Sequence, residues 1–155
     1  MKILFVCMGN ICRSPLLEGW ARHTLEAAGQ GHRAQLDSAG TGGWHAGSPP
    51  DPRAIAASAR HGVDLRGQRA RAVSPEDFQA FDLMLAADGD TLQWLRQHAP
   101  PEARARLHLA LAWCEAAHRG DVPDPYYGDA AGFEATCTLA RAAAEGLLRK
   151  LAPQA

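Results

Sequence analysis

The chain has 155 residues, 46% of them hydrophobic, enough to bury a core in a single domain spanning 1–155. Its 16 Lys plus Arg against 17 Asp plus Glu leave a formal charge of -1, without the basic excess that a general nucleic-acid or membrane-surface binder needs. Apolar stretches are broken well before about 18 residues, and the N-terminus lacks a cleavage-site pattern, so neither membrane spanning nor secretion is expected. Cys7, Cys12, Cys114 and Cys137 are too scattered for a disulfide framework or a CxxC zinc site, which points to a reducing, cytoplasmic setting.

In chain order, Lys2–Val6 is a short run of β-formers that reads as a buried parallel strand. A turn over 7–13 follows, then Ser14-Pro15 as cap and first-turn proline of a helix with an apolar stripe at Leu16, Leu17, Trp20, Ala21, Thr24 and Leu25 and a stop at Gly29. A second strand is expected at Gln35–Ser38, followed by a Gly/Pro-rich loop from Gly40 to Pro50 and a helix from Asp51-Pro52 to Gly62. Ser74-Pro75-Glu76-Asp77 caps a brief helical turn, Phe81–Ala87 reads as a strand, Thr91–His98 as a helix and Leu107–Leu111 as a fourth strand. Two prolines keep 121–128 irregular, and a last helix runs from about Ala131 to Leu151. Strands alternating with helices imply a parallel sheet covered on both faces, with its ligand site at the carboxyl ends of the strands.

The first strand-to-helix loop carries the chemistry. Cys7-Met8-Gly9-Asn10-Ile11-Cys12-Arg13-Ser14 stands where successive backbone N–H groups and a helix N-terminus can cradle a tetrahedral oxyanion. Gly9 and Asn10 tolerate left-handed dihedrals, and Arg13 offers the bidentate fork that lysine lacks. A helix terminus and a guanidinium favour the thiolate form of a nearby cysteine, so Cys7 is expected to be a nucleophile near neutral pH. Expelling an alkoxide or phenoxide then calls for a proton donor, and Asp124, held between Pro123 and Pro125 beside Tyr126 and Tyr127, is the candidate acid.

Together these segments resemble the low-molecular-weight protein tyrosine phosphatases. Val6–Pro15 is similar to that family's N-terminal phosphate loop and Asp124-Pro125-Tyr126-Tyr127-Gly128 to its general-acid loop. Asp37–Thr41, Trp44, Pro50–Arg53, Glu76–Phe78 and Phe81-Asp82 match in the same order. The resemblance implies a three-layer α/β fold with a central four-stranded parallel sheet. It also implies metal-independent, two-step phosphomonoester hydrolysis without a cofactor. Cys7 would carry the phosphoryl group, Arg13 would clamp its oxygens, and Asp124 would protonate the leaving phenolate and later activate water. Ser14 would donate to the Cys7 sulfur, while Asn10 and Ser38 brace the loop. Met8, Ile11, Trp44, Tyr126 and Tyr127 would line a cleft for the ring of a phosphotyrosine on a protein substrate, with Gly9 and Cys12 completing the phosphate-binding loop.

One position departs from the family pattern: Gln68 stands where a histidine commonly supports the loop asparagine, and an amide there is expected to keep that brace. Three other readings use the same residues. An arsenate reductase would need a closely spaced cysteine pair late in the chain, whereas Cys114 and Cys137 read as core thiols. A protein arginine phosphatase usually carries threonine at the position of Ile11 and a less aromatic acid loop. A non-catalytic oxyanion-binding module would need neither Cys7 nor Asp124. Cys12 is close enough in sequence to bridge to Cys7 under peroxide. The seven histidines show no metal-ligand spacing, and His45 beside Trp44 is a candidate rim residue.

Overall fold

Ile3 and Phe5 project to one side of the first strand and Leu4 and Val6 to the other, and all four are buried, as a strand covered on both faces requires. The structure is a computed structural model that describes residues 1–152. Its elements are β1 (Lys2–Cys7), α1 (Arg13–Ala27), β2 (Gln35–Gly40), α2 (Pro52–Ala59), α3 (Asp77–Ala80), β3 (Leu83–Ala86), α4 (Gly89–His98), β4 (Leu107–Leu109), α5 (Ala110–Trp113) and α6 (Ala130–Leu151), with 3-10 turns at Gly31–Arg33 and Pro101–Arg106.

The sheet has four parallel strands in the order β2-β1-β3-β4. Lys2 pairs with Gln35 and Cys7 with Gly40 on one side of β1, and Ile3 pairs with Leu83 on the other. The chain therefore leaves β1 in one direction for β2 and later returns to its opposite side for β3. Such a switch point opens a crevice at the carboxyl ends of the strands, and the loop after β1 occupies it.

One layer buries Ile3, Phe5 and Leu85 against Leu16, Leu17 and Trp20 of α1 and Phe133, Ala140 and Leu147 of α6. The other packs Leu4, Val6, Met84 and Ala86 against Phe78 of α3 and Leu92 and Leu95 of α4. Small residues let α6 approach closely: a Cβ at Gly146 would stand 1.8 Å from the Cys114 carbonyl oxygen.

Several boundaries differ from the sequence expectation. Helix α1 starts at Arg13, after Cys12, and has no side-chain cap, because the Ser14 hydroxyl turns to the Cys7 sulfur instead. The apolar run at Leu107 leaves the sheet after Leu109 and closes into α5. Helix α4 begins at Gly89 because Asp88 accepts from Thr91 N–H at 2.8 Å and caps it.

Candidate active site

The loop from Cys7 to Arg13 is suspended from the end of β2. The Cys7 and Met8 carbonyls accept from Thr41 and Gly42 N–H at 2.9 and 3.1 Å. Position 40 must be glycine for this approach: a Cβ there would lie 2.7 Å from the Met8 oxygen and 3.2 Å from the Asn10 nitrogen. Asn10 turns the loop with φ 57°, the left-handed conformation that asparagine tolerates better than most residues. Its backbone N–H then points at the Cys7 Sγ, 3.3 Å away, and the Ser14 Oγ lies 3.0 Å from the same sulfur.

The Asn10 side chain makes these contacts rigid. Arg71 N–H donates to its Oδ1 at 3.0 Å, which fixes the orientation of the amide. Its Nδ2 donates to Ser14 Oγ at 2.8 Å and to Ser38 Oγ at 3.0 Å. Asn10, Ser14 and Ser38 are all buried, so the network is shielded from competing water. Gln68 does not take part, contrary to expectation. Its Nε2 donates to the Pro15 carbonyl at 3.0 Å and ties down the first turn of α1, while the Asn10 oxygen it would have supported is occupied by Arg71 N–H. Its Oε1 is buried without a hydrogen-bond partner among the described residues.

The two loop cysteines are inequivalent. Burial, and then the Asp51 and Asp124 carboxylates, push the Cys12 thiol up to about 12, so it stays neutral near pH 7. Only Cys7 receives the Asn10 N–H and Ser14 hydroxyl contacts. Arg13 is buried beside it. Burial opposes its charge, but the neighbouring Cys7, Asp88 and Asp124 outweigh that and raise its pKa. Nη1 is held by the Asp88 carboxylate and donates to the Val122 carbonyl at 3.2 Å, which fixes the guanidinium plane. Burial works against the Asp88 charge as well, yet hydrogen bonds from Thr91 and Arg13 hold its carboxyl below the usual range. Asp88 escapes sequence reasoning; the one available signal is a capping residue placed directly after β3, at the carboxyl edge of the sheet.

Asp124 faces this group from the irregular 121–128 loop. Its Oδ2 lies 3.8 Å from Arg13 Nη2, and its Oδ1 accepts from Tyr126 N–H at 3.0 Å. Arg53 fastens the loop to the start of α2: its Nε and Nη2 pair with Asp51 at 3.0 and 2.9 Å, and Nη2 also donates to the Tyr126 carbonyl at 2.9 Å. The resulting cleft, of about 250 Å³, is lined by Cys7, Met8, Gly9, Ile11, Cys12, Arg13, Trp44, His45, Asp124, Tyr126 and Tyr127, which brings together the residues expected from the sequence, the rim candidate His45 included. Trp44 and Tyr127 stand 70% and 93% exposed at its mouth, while Cys7 at its floor is 2% exposed. Among the described residues, no cluster of three or more His, Cys, Asp or Glu side chains could hold a metal ion.

With a thiol seated at the switch point of this doubly wound sheet, the matches to known proteins place the chain in the class of cysteine-dependent phosphoric monoester hydrolases. Within that class the chain belongs to the low-molecular-weight phosphotyrosine protein phosphatase family, whose family profile matches residues 2–155. A low-molecular-weight protein-tyrosine-phosphatase of Streptomyces coelicolor is 44% identical over 156 residues, covering 99% of this chain and 94% of that one. The crystal structure of a protein tyrosine phosphatase from Entamoeba histolytica, with Hepes in its active site, superposes with a TM-score of 0.92 at 33% identity, covering 97% of this chain and 96% of that one. A Drosophila arginine phosphatase shares the fold, with a TM-score of 0.89 at 28% identity and full coverage of both chains.

Proposed function

We propose that the 155-residue chain acts as one phosphatase domain on phosphotyrosine in protein substrates, with Cys7 as nucleophile, Arg13 as oxyanion clamp and Asp124 as general acid and base. The observation that carries this reading is the convergence on one floor of the Cys7 sulfur, hydrogen-bonded by Asn10 N–H and near Ser14 Oγ, with Arg13 and Asp124 side by side above it. A sulfur receiving such donors reacts as the thiolate and leaves as one.

In the first step the Cys7 sulfur attacks phosphorus in line as the ester P–O bond breaks, and the Asp124 carboxylic acid gives its proton to the departing phenolate oxygen. With Nη1 held by Asp88 and Val122, the Nε and Nη2 edge of Arg13 is the one that binds two equatorial oxygens. In the second step Asp124, now a carboxylate, takes a proton from water as its oxygen attacks phosphorus. The P–S bond breaks and the sulfur electrons return to Cys7, stabilised by Ser14 and Asn10 N–H. Hepes, present in the Entamoeba structure's active site, carries a tetrahedral sulfonate, the same anion geometry that this loop would bind.

The aromatic and apolar walls support an aryl ester: a phosphotyrosine ring is long enough to place its phosphate on the loop while stacking among Ile11, Trp44 and Tyr126, which a phosphoserine is too short to do. Ile11 and the two tyrosines weigh the same way against phosphoarginine. We place the protein in the cytoplasm, where a reducing pool suits its four free cysteines.

The test is turnover in chelator-treated buffer with matched phosphotyrosine, phosphoserine and phosphoarginine peptides. Metal-independent release of phosphate from the phosphotyrosine peptide, lost in Cys7→Ser, is expected. Phosphate binding without turnover would establish a binding module instead, and faster release from the phosphoarginine peptide would overturn the substrate.

A further inference from the structure

The N–H that holds the Asn10 oxygen belongs to Arg71, whose side chain has no part in the reaction steps proposed for Cys7, Arg13 and Asp124. That side chain spends all five of its N–H groups on the protein. Nε and Nη2 donate to Asp37 Oδ2 at 3.2 and 3.0 Å. Nη1 and Nη2 donate to Asp77 Oδ2 and Oδ1 at 3.0 and 3.1 Å, and Nη1 also reaches the Ala72 carbonyl at 3.3 Å. Burial works against the Arg71 charge, but the Asp77 and Asp37 carboxylates outweigh it and raise its pKa. A planar fork with every donor used is fixed in orientation as well as in place.

The two carboxylates stand on different elements. Asp77 is at the start of α3, where its Oδ2 also accepts from Ser74 N–H at 2.8 Å, and its side chain is buried. Asp37 is on β2, and its Oδ1 accepts from the N–H of the next residue, Ser38, at 2.8 Å. Ser38 and Arg71 are the residues that grip the two ends of the Asn10 side-chain amide: Ser38 Oγ takes Nδ2–H at 3.0 Å, and Arg71 N–H supplies Oδ1 at 3.0 Å. Asp37 therefore ties together both residues that hold Asn10. Asn10, Ser38, Asp37 and Arg71 form a closed ring of hydrogen bonds.

Resting on the reading of Cys7 as nucleophile, we propose that Arg71 is a positioning residue for the phosphate loop: its guanidinium, clamped between Asp37 and Asp77, closes the ring that holds the Asn10 amide, and through that amide both donors on the Cys7 sulfur. The backbone alone joins this segment to β2 at one residue, Gly40, whose N–H donates to the Arg71 carbonyl and whose carbonyl accepts from Val73 N–H, both at 2.8 Å. Two bonds at one residue leave the segment free to twist about that point. The link to Asp37, three residues and about 10 Å earlier on the strand, is a second fixed point that stops the twist. The Arg71 N–H then stays on Asn10, which aims its own N–H at the sulfur and fixes the Ser14 hydroxyl beside it.

The experiment measures kcat and KM for p-nitrophenyl phosphate in the full chain, with amide hydrogen exchange followed by NMR. Asp37→Asn, at a half-exposed position, keeps an oxygen for Ser38 N–H and turns an NH2 group toward the guanidinium. Arg71→Lys keeps a cation for the buried Asp77, but a single ammonium cannot span both carboxylates. Each is expected to lower kcat by about tenfold with KM within about twofold, the pattern of a misaligned transition-state contact. The double variant should cost no more than the larger single loss, because both changes break one link. In Asp37→Asn the Arg71 amide should exchange about tenfold faster, while the Val73 amide, bonded to Gly40, should keep its rate. Gly146→Ala, in the packing of α6 and remote from the cleft, is the control for stability lost without loss of the ring. Wild-type kcat in both single variants, full additivity in the double, or Arg71 and Val73 amides that speed up together overturns the role of Arg71. So does a loss of kcat that Gly146→Ala reproduces at an equal melting temperature. Cys7→Ser runs alongside: if it keeps turnover, the assignment of the nucleophile fails, whereas the ring is still read from the Arg71 amide.

Discussion

Arg13 and Asp88 are 75 positions apart in the chain and form an ion pair at the carboxyl edge of the sheet, with the guanidinium buried and the carboxylate half-buried. Asp88 uses one carboxylate oxygen to cap α4 and the other to hold Nη1 of the guanidinium, so one side chain both starts a helix and sets the plane of the oxyanion clamp. Asp88→Asn keeps an oxygen for the Thr91 N–H but turns an NH2 group toward Arg13. Because it removes the counter-charge at Nη1 and leaves the buried cation only Asp124 and Cys7, it should cost about 3 kcal/mol of stability. Because the clamp is no longer aimed, kcat/KM should fall roughly tenfold to a hundredfold. Urea unfolding and steady-state kinetics check the two separately, and a kcat/KM within twofold of wild type would remove Asp88 from the site.

In the mechanism we propose, Asp124 acts only on the leaving oxygen in the first step. Asp124→Ala should therefore slow phenyl phosphate, whose phenolate is a poor leaving group, by on the order of a hundredfold or more, and p-nitrophenyl phosphate much less. A plot of log kcat against leaving-group pKa should be steep in the variant and shallow in the wild type. Equal slopes would mean that another group supplies the proton.

The parts of the site that sequence reveals are those whose logic is local. A strand ending at Cys7, a Gly-Asn turn and an arginine at the next helix start lie within 13 residues, and each type carries its own backbone or charge preference. The contacts that complete the site come from the strand order. Arg71 N–H reaches Asn10 from 61 positions away because the chain at Arg71 and Val73 bonds to both sides of Gly40, and no periodicity announces that. Gln68 shows the same limit, since matching its position to the family pattern does not reveal that Asn10 is already satisfied from three residues further on. Ser14-Pro15 reads as cap and first turn under local rules, but the hydroxyl is worth more to a sulfur seven residues back than to a helix end. The segment Leu107-His108-Leu109-Ala110-Leu111 carries no sign of where the strand gives way to a helical turn.

Acid should loosen the joint between α2 and the general-acid loop. Asp51 caps α2 by accepting from Arg53 N–H at 2.8 Å, and the Arg53 side-chain bonds hold its carboxyl below the usual range against the opposing effect of burial. A carboxyl with a depressed folded-state pKa contributes stability that is fully present above its unfolded value, about 3.9, and is lost as pH falls through the lower folded value. The stability difference between wild type and Asp51→Asn should therefore be constant above about pH 5 and shrink as the pH drops below about 4. Chemical denaturation at a series of pH values reads this directly, and a difference that grows toward acid would contradict the assignment.

Two glycines separate stability from catalysis. At Gly146 an added Cβ meets the Cys114 backbone oxygen at 1.8 Å, and backbone cannot swing aside as a side chain can. Gly146→Ala must push α6 away from the end of α5, at a cost of about 1–3 kcal/mol, the range for overpacking a core. That contact lies far from the phosphate loop in the chain and shares no residue with the cleft, so kcat at 25 °C should hold while the melting temperature falls. At Gly40 the added Cβ meets the Met8 oxygen at 2.7 Å and the Asn10 nitrogen at 3.2 Å, both within the loop that surrounds the Cys7 sulfur. Gly40→Ala must therefore displace the Asn10 N–H from the sulfur, and kcat should drop by at least about tenfold even well below the melting temperature, as expected when one donor is misaligned. If Gly40→Ala melts early yet turns over at the wild-type rate when folded, the loop geometry is not what sets the reactivity of Cys7.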